Sequence, residues 1–166
     1  MALLEQDHDI DIHPIDMVET LASYHDWDFD RMGDDQIAMA VEGQWRTYSL
    51  TLAWSDYDET LRLVCTFELD PPEARKPALF ELINDINDRT WVGAFSFWQE
   101  QGLMVYRYGL VLAGGQMAGP DQIDTMINAA VAGAERYYPA LQLLIWGERT
   151  PKDALQVAIA EAYGRA

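Results

Sequence analysis

The chain has a single cysteine, Cys65, so no internal disulfide framework can form. A lone thiol suits a reducing, cytosolic setting. No run approaches 18 consecutive apolar residues, which leaves no transmembrane helix to expect. Histidine is scarce as well: His8, His13 and His25 all precede position 26, far in sequence from Cys65. Neither GxGxxG nor a Walker lysine occurs, so the glycines of the AGGQMAGP stretch (113–120) form no phosphate-binding loop. Basic residues are few, 11 Lys and Arg against 28 Asp and Glu, for a net charge of −17. Such a surface repels phosphate backbones and anionic membranes, which argues against a nucleic-acid or membrane partner. The start, MALLEQDHDIDIH, has no basic n-region and does not read as a signal peptide. These absences point to a soluble, cytoplasmic protein of bacterial style.

What is present is an apolar fraction of 49%, with six Trp and eight Tyr, ample for a core. A chain of 166 residues reads as one folding unit that needs no metal or disulfide. The expected division is an acidic, flexible segment at 1–13 and a single domain at 14–166. Residues 1–35 hold eleven Asp or Glu against Arg31 alone. That asymmetry suits solvation, or a basic partner.

The stretch from Pro77 to Leu112 organises the chain. PALFELINDINDRT places Leu79, Leu82, Ile83 and Ile86 on one helical stripe. WVGAFSFW and LMVYRYGLVL then read as two strands about the turn QEQG. Ahead of this stretch, Pro14 opens a helix whose stripe runs through Ile15, Val18, Leu21, Ala22 and His25. Four alternating segments follow, at WDFD, 36–42, 45–54 and 61–69, with Cys65 among the inward positions. After the hairpin, Pro120 opens a helix that Pro139 should kink or break, leaving Ala140 to Trp146 as a short piece. Thr150-Pro151-Lys152-Asp153 starts a last helix. Its thin apolar face (Leu155, Ala158, Ile159, Ala162) suggests a peripheral or partner-docking element. The fold class is α+β: an antiparallel sheet, made of an N-terminal meander and a later hairpin, packed against helices.

Candidate chemistry is thin. Asp7, His8, Asp9, Asp11 and His13 are metal-ligand types, but their spacing fits no closed tetrahedral pattern. Asp26-x-Asp28-x-Asp30 opens like a calcium loop, yet Arg31 holds the glycine position and Ile37 the final glutamate position. Cys65 lacks a nearby base, so it reads as a small core residue. No metal, cofactor or catalytic residue is expected, and the chain is read as a non-enzyme. Asn84 and Asn87 flank the helical stripe, and either bond to neighbouring backbone or form a polar site. Both faces of the 91–112 hairpin are apolar, where a half-wet strand would alternate with polar residues. The expectation is that helices cover one face and a second subunit or a partner covers the other. Trp45, Trp54, Trp98, Tyr106 and Tyr108 are the aromatic contact candidates, with core positions the simpler reading for Trp54 and Tyr108. Arg107, the lone charge on its strand, is expected to pair with a carboxylate across the sheet.

The order of these elements carries a resemblance. Leu82-x-Asn84-x-x-Asn87 precedes an aromatic strand with Gly93-x-Phe95. An Arg107-centred strand follows, then Tyr138-Pro139 with Leu141 before Gly147, and a Pro151-x-x-Ala154-Leu155 helix start. Over roughly residues 15–162 this resembles the YbjN family of bacterial proteins. The resemblance implies a fold like that of type III secretion chaperones and a role described as sensory-transduction regulation, with no catalytic residues to carry over. The leading expectation is a non-enzymatic protein-binding module, chaperone-like or regulatory, working as a homodimer on a protein or peptide partner. Its contact residues would be Trp45, Trp98, Tyr106 and Arg107. The alternative is a small-ligand sensor built around Asn84, Asn87, Arg107 and aromatics.

Overall fold

A computed structural model describes residues 12–164. The set Asp7, His8, Asp9 and Asp11, and with it most of the acidic lead, lies outside the described residues. Helix α1 (Pro14–Tyr24) begins where His13 Nδ1 accepts a hydrogen bond from the Ile15 N–H, with Pro14 in the first turn. Four strands follow: β1 (Asp28–Arg31), β2 (Gln36–Glu42), β3 (Thr47–Ser55) and β4 (Thr60–Glu68). A 3-10 turn (Glu73–Arg75) leads into α2 (Lys76–Asp88), and the hairpin β5 (Ala94–Trp98) and β6 (Leu103–Val111) comes next. Helices α3 (Pro120–Trp146) and α4 (Pro151–Gly164) close the chain.

The strands form one six-stranded antiparallel sheet in the order β1-β2-β3-β4-β6-β5. Helix α2 carries the chain past the position of β6 to the sheet edge, and the hairpin returns β6 alongside β4. Alternation sorts the side chains into two faces. Tyr48, Leu50, Leu52, Leu61, Leu63, Cys65, Phe67, Phe95, Met104 and Tyr106 face one core, which also takes the apolar stripes of all four helices. Each buried Leu or Ile in those stripes contributes about 1.5–3 kcal/mol. The opposite face carries small residues on β2, β3 and β5 (Ala38, Ala40, Ser49, Thr51, Ala53, Ala94 and Ser96), and larger ones on β4 and β6 (Arg62, Val64, Val105 and Arg107), with Trp98 at the end of β5.

Two expectations about the helices change. Pro139 does not break α3, which runs unbroken from Pro120 to Trp146. The proline removes one intrahelical hydrogen bond, but Tyr137, Ala140, Leu141 and Leu144 are buried on both sides of it and hold the helix to the core. The Glu135 side chain, one turn earlier, clamps the β2–β3 turn. It accepts hydrogen bonds from the Tyr48 hydroxyl (2.6 Å) and the Gln44 N–H (2.9 Å). Helix α4 is also not peripheral. Ala154, Leu155 and Ala158 are buried, and α4 packs on α3 and α2. Arg75 fixes the α3–α4 connection by donating to the carbonyls of Leu144 (2.9 Å) and Arg149 (2.6 Å). The apolar face looked thin because alanine contributes little hydrophobicity to a sequence pattern while allowing close helix contact.

A stepped sheet edge as the candidate functional site

Antiparallel neighbours alternate between pairs that exchange backbone hydrogen bonds and pairs that do not. On the outer edge of β5 the Asn87 carboxamide shows which is which. Its Nδ2 donates to the Phe95 carbonyl (2.9 Å) and its Oδ1 accepts from the Phe95 N–H (2.8 Å). The backbone of Phe95 therefore points away from β6. Ala94–Arg107, Ser96–Val105 and Trp98–Leu103 are then the pairs that carry the β5–β6 ladder. Odd-numbered residues of β6 direct their backbone toward β5, and even-numbered residues direct theirs toward β4.

Strand β5 ends at Ala94, opposite Arg107, while β6 continues to Val111. The chain before Ala94 leaves the sheet on the helix side. Gly93 adopts φ +77°, a conformation open to glycine, and a Cβ there would collide with the Tyr106 ring. The Tyr106 hydroxyl donates to the Val92 carbonyl at 2.7 Å and holds that turn down. Beyond Arg107, the N–H and C=O groups of Gly109 and Val111 point to a side on which no strand of the described residues pairs with β6. The sheet edge is a step, closed by Asn87 at Phe95 of β5 and open at Gly109 and Val111 of β6.

A depression flanks the open part on each face. On the uncovered face, Thr60, Arg62, Val64, Ala94, Arg107 and Gly109 line a groove of about 520 Å³. Arg62 and Arg107 occupy diagonal positions there, since Arg62 is opposite Gly109 and Arg107 is opposite Val64. Arg62 pairs with Asp58 at 2.8 Å and holds that carboxyl below the usual range. The expected carboxylate partner of Arg107 is not found: among the described residues its side chain makes no ion pair and no hydrogen bond, and it is exposed. On the helix face, Val92, Tyr108, Leu110, Gln122, Thr125 and Met126 line a mostly apolar pocket of about 330 Å³, with Asp121 at its rim.

The other candidates fall elsewhere. Tyr106 is 2% exposed, so it is a core residue and cannot meet a partner. Trp98 ends β5 on the uncovered face, partly exposed. Trp45 lies in the β2–β3 turn, stacked near Tyr138 and far along the sheet from Arg107. Asn84 is exposed on α2, and neither it nor Asn87 lines the Arg107 groove, so the three named positions offered for a polar ligand pocket do not converge. Trp54 and Tyr108 are partly buried and pack on the core. Cys65 is buried, and burial pushes its thiol up to about 12. Gly109 and Val111, which sequence reading did not single out, define the open edge. They lie where β6, nine residues long, outruns the five of β5.

Comparison with known proteins bears on this fold. The family model YbjN, described as "Putative bacterial sensory transduction regulator", matches residues 14–143. The chain belongs to the YbjN family. The match stops within α3, so α4 lies beyond it. A solved structure titled "Crystal structure of YbjN, a putative transcription regulator from E. coli" is similar, with a TM-score of 0.53 and 10% identity over 80% of this chain and 90% of that one. At that identity the likeness concerns the fold alone. No curated protein sequence matches. Among the described residues, no helix is long and apolar enough to cross a membrane.

Proposed function

We propose that this YbjN-family chain is a non-enzymatic protein-binding module, a regulatory or chaperone-like adaptor, which engages a partner polypeptide at the step between β5 and β6. The observation that carries this reading is the open backbone of Gly109 and Val111 beside an Asn87-closed neighbour. On β5 the Asn87 carboxamide occupies the outward groups of Phe95; on β6 two donors and two acceptors face outward between two depressions. Extended segments bind sheet edges by such main-chain pairing.

Site-specific photocrosslinking in the native cells tests it. A benzophenone side chain is placed at Val111 and Trp98, on the edge and the uncovered face, and at Asn128, exposed on α3. The expected result is a discrete polypeptide adduct from Val111 or Trp98 and none from Asn128. Absence of adducts from every position would overturn the reading.

One observation favours a second reading, a small-ligand sensor: Arg107 stands without a carboxylate in a groove of about 520 Å³. Such a sensor would take a small anion there. A purified dimer that gives no polypeptide adduct but binds a small carboxylate would support it.

A further inference from the structure

We infer that the open edge of β6 takes an extended peptide whose side chains alternate between acidic and apolar. This rests on the protein-binding reading above and specifies the partner's chemistry. A strand added beside Gly109 and Val111 continues the pleat of the sheet, so its successive side chains point to opposite faces. Those on the uncovered face enter the groove of Arg62 and Arg107. Those on the helix face enter the pocket of Val92, Leu110 and Met126.

The two depressions ask for different side chains. In the groove, Asp58 compensates Arg62, which leaves Arg107 as the uncompensated charge. Arg62 and Arg107 are like charges at diagonal positions with no carboxylate between them, a repulsion that an acidic side chain relieves. Gly109 leaves the room for it: a Cβ at 109 would sit 3.2 Å from Thr60 Cγ2. The opposite pocket offers methyl, methylene and thioether surface, and the Asp121 carboxylate at its rim rejects an acidic residue on that side. The overall charge of −17 opposes an acidic ligand at long range. At physiological salt that repulsion is screened beyond about 8 Å, while contact with Arg107 is not.

The test titrates the full chain with fluorescent eight-residue peptides: alternating Glu and Val, the same with Lys for Glu, and the Glu–Val peptide N-methylated at alternate positions. The expected result is binding of the Glu–Val peptide alone. Arg107→Glu should weaken it at least tenfold, and backbone methylation on the pairing edge should abolish it. The chain carries this alternation itself at Asp9-Ile10-Asp11-Ile12, and again at Asp26-Trp27-Asp28-Phe29-Asp30, which runs into β1 and is paired with β2. Tighter peptide binding after Asp9→Lys and Asp11→Lys would count for the same chemistry. Equal binding of the methylated or Lys peptide, or an Arg107→Glu variant that binds as well as the parent, would overturn the inference. No peptide binding together with cellular adducts from Trp98 would overturn it while leaving the protein-binding reading intact. No peptide binding and no adducts would remove both.

Discussion

The Asn87 carboxamide holds the backbone of Phe95 as a neighbouring strand would, giving and accepting one hydrogen bond each at 2.9 and 2.8 Å. The pairing does two things. It satisfies the outward groups of β5 at its centre, and it denies that position to another strand, a common need of sheet edges. It also fixes which β6 residues face outward. The helix that brings Asn87 there is held by Leu79, Leu82, Ile83 and Ile86, all buried, so the amide sits on a rigid support.

Replacing Asn87 by Ala should cost about 1–3 kcal/mol, since two part-buried hydrogen bonds are lost and the Phe95 groups turn to water. Asn87→Asp keeps an acceptor for the Phe95 N–H but sets a carboxylate against its carbonyl, so it should not restore the parent stability. Urea unfolding of the three proteins checks this. Parent-like stability in Asn87→Ala would show that the edge needs no closure.

Leu155→Ala should destabilise by about 2–5 kcal/mol, as expected for a large residue removed from a packed site. Leu155 is 5% exposed and belongs to the single core. A change below about 0.5 kcal/mol, typical of a surface position, would mean that α4 does not pack as described.

Burial raises the phenols of Tyr48 and Tyr106, and the Glu135 carboxylate adds to the rise at Tyr48. Tyr106 is pushed up to about 12, and Tyr48 lies higher still above the usual tyrosine range. In the unfolded chain both ionise near pH 10. Above that pH the folded state holds more protons than the unfolded state, so stability falls as pH rises. The contribution is complete below pH 10, and the Tyr106 part is lost as pH rises through about 12. Urea midpoints should hold steady from pH 7 to 9 and drop from 10 to 12, less steeply in Tyr106→Phe. An unchanged midpoint across that window would contradict the buried environments.

Cys65 should be inert to a thiol reagent in the native chain and react at once in guanidinium chloride. It is 1% exposed, and its raised thiol leaves almost no thiolate at neutral pH. Rapid native-state reaction would place Cys65 outside the core.

Much of this architecture was legible in the residues. Strict alternation at 36–42 and 61–69, the stripe of Leu79, Leu82, Ile83 and Ile86, and the QEQG turn correspond to β2, β4, α2 and the hairpin. The family resemblance holds over residues 14–143. The site was less legible, for physical reasons. Alternation gives the face of a side chain but not which backbone edge is free, so Gly109 and Val111 carried no sequence signal of their own. Tyr106 read as a contact because an aromatic on a strand looks alike in a core and at an interface; its burial against Phe95 distinguishes them. For Asn87 the sequence left two roles open, backbone bonding or a polar site, and its backbone partner eight residues on could not be named before β5 was placed. Pro139 misled because helix propensity is local, and the core contacts around it outweigh the lost bond.

Amide hydrogen exchange by NMR on the full chain tests the open step most directly. The expected result is slow exchange at Phe95, whose N–H is held by Asn87, and fast exchange at Gly109 and Val111, which slow when the Glu–Val peptide is added. Gly109 and Val111 as protected as Phe95 in the free chain would mean that the edge of β6 is already filled, and the proposed binding site would be lost with it.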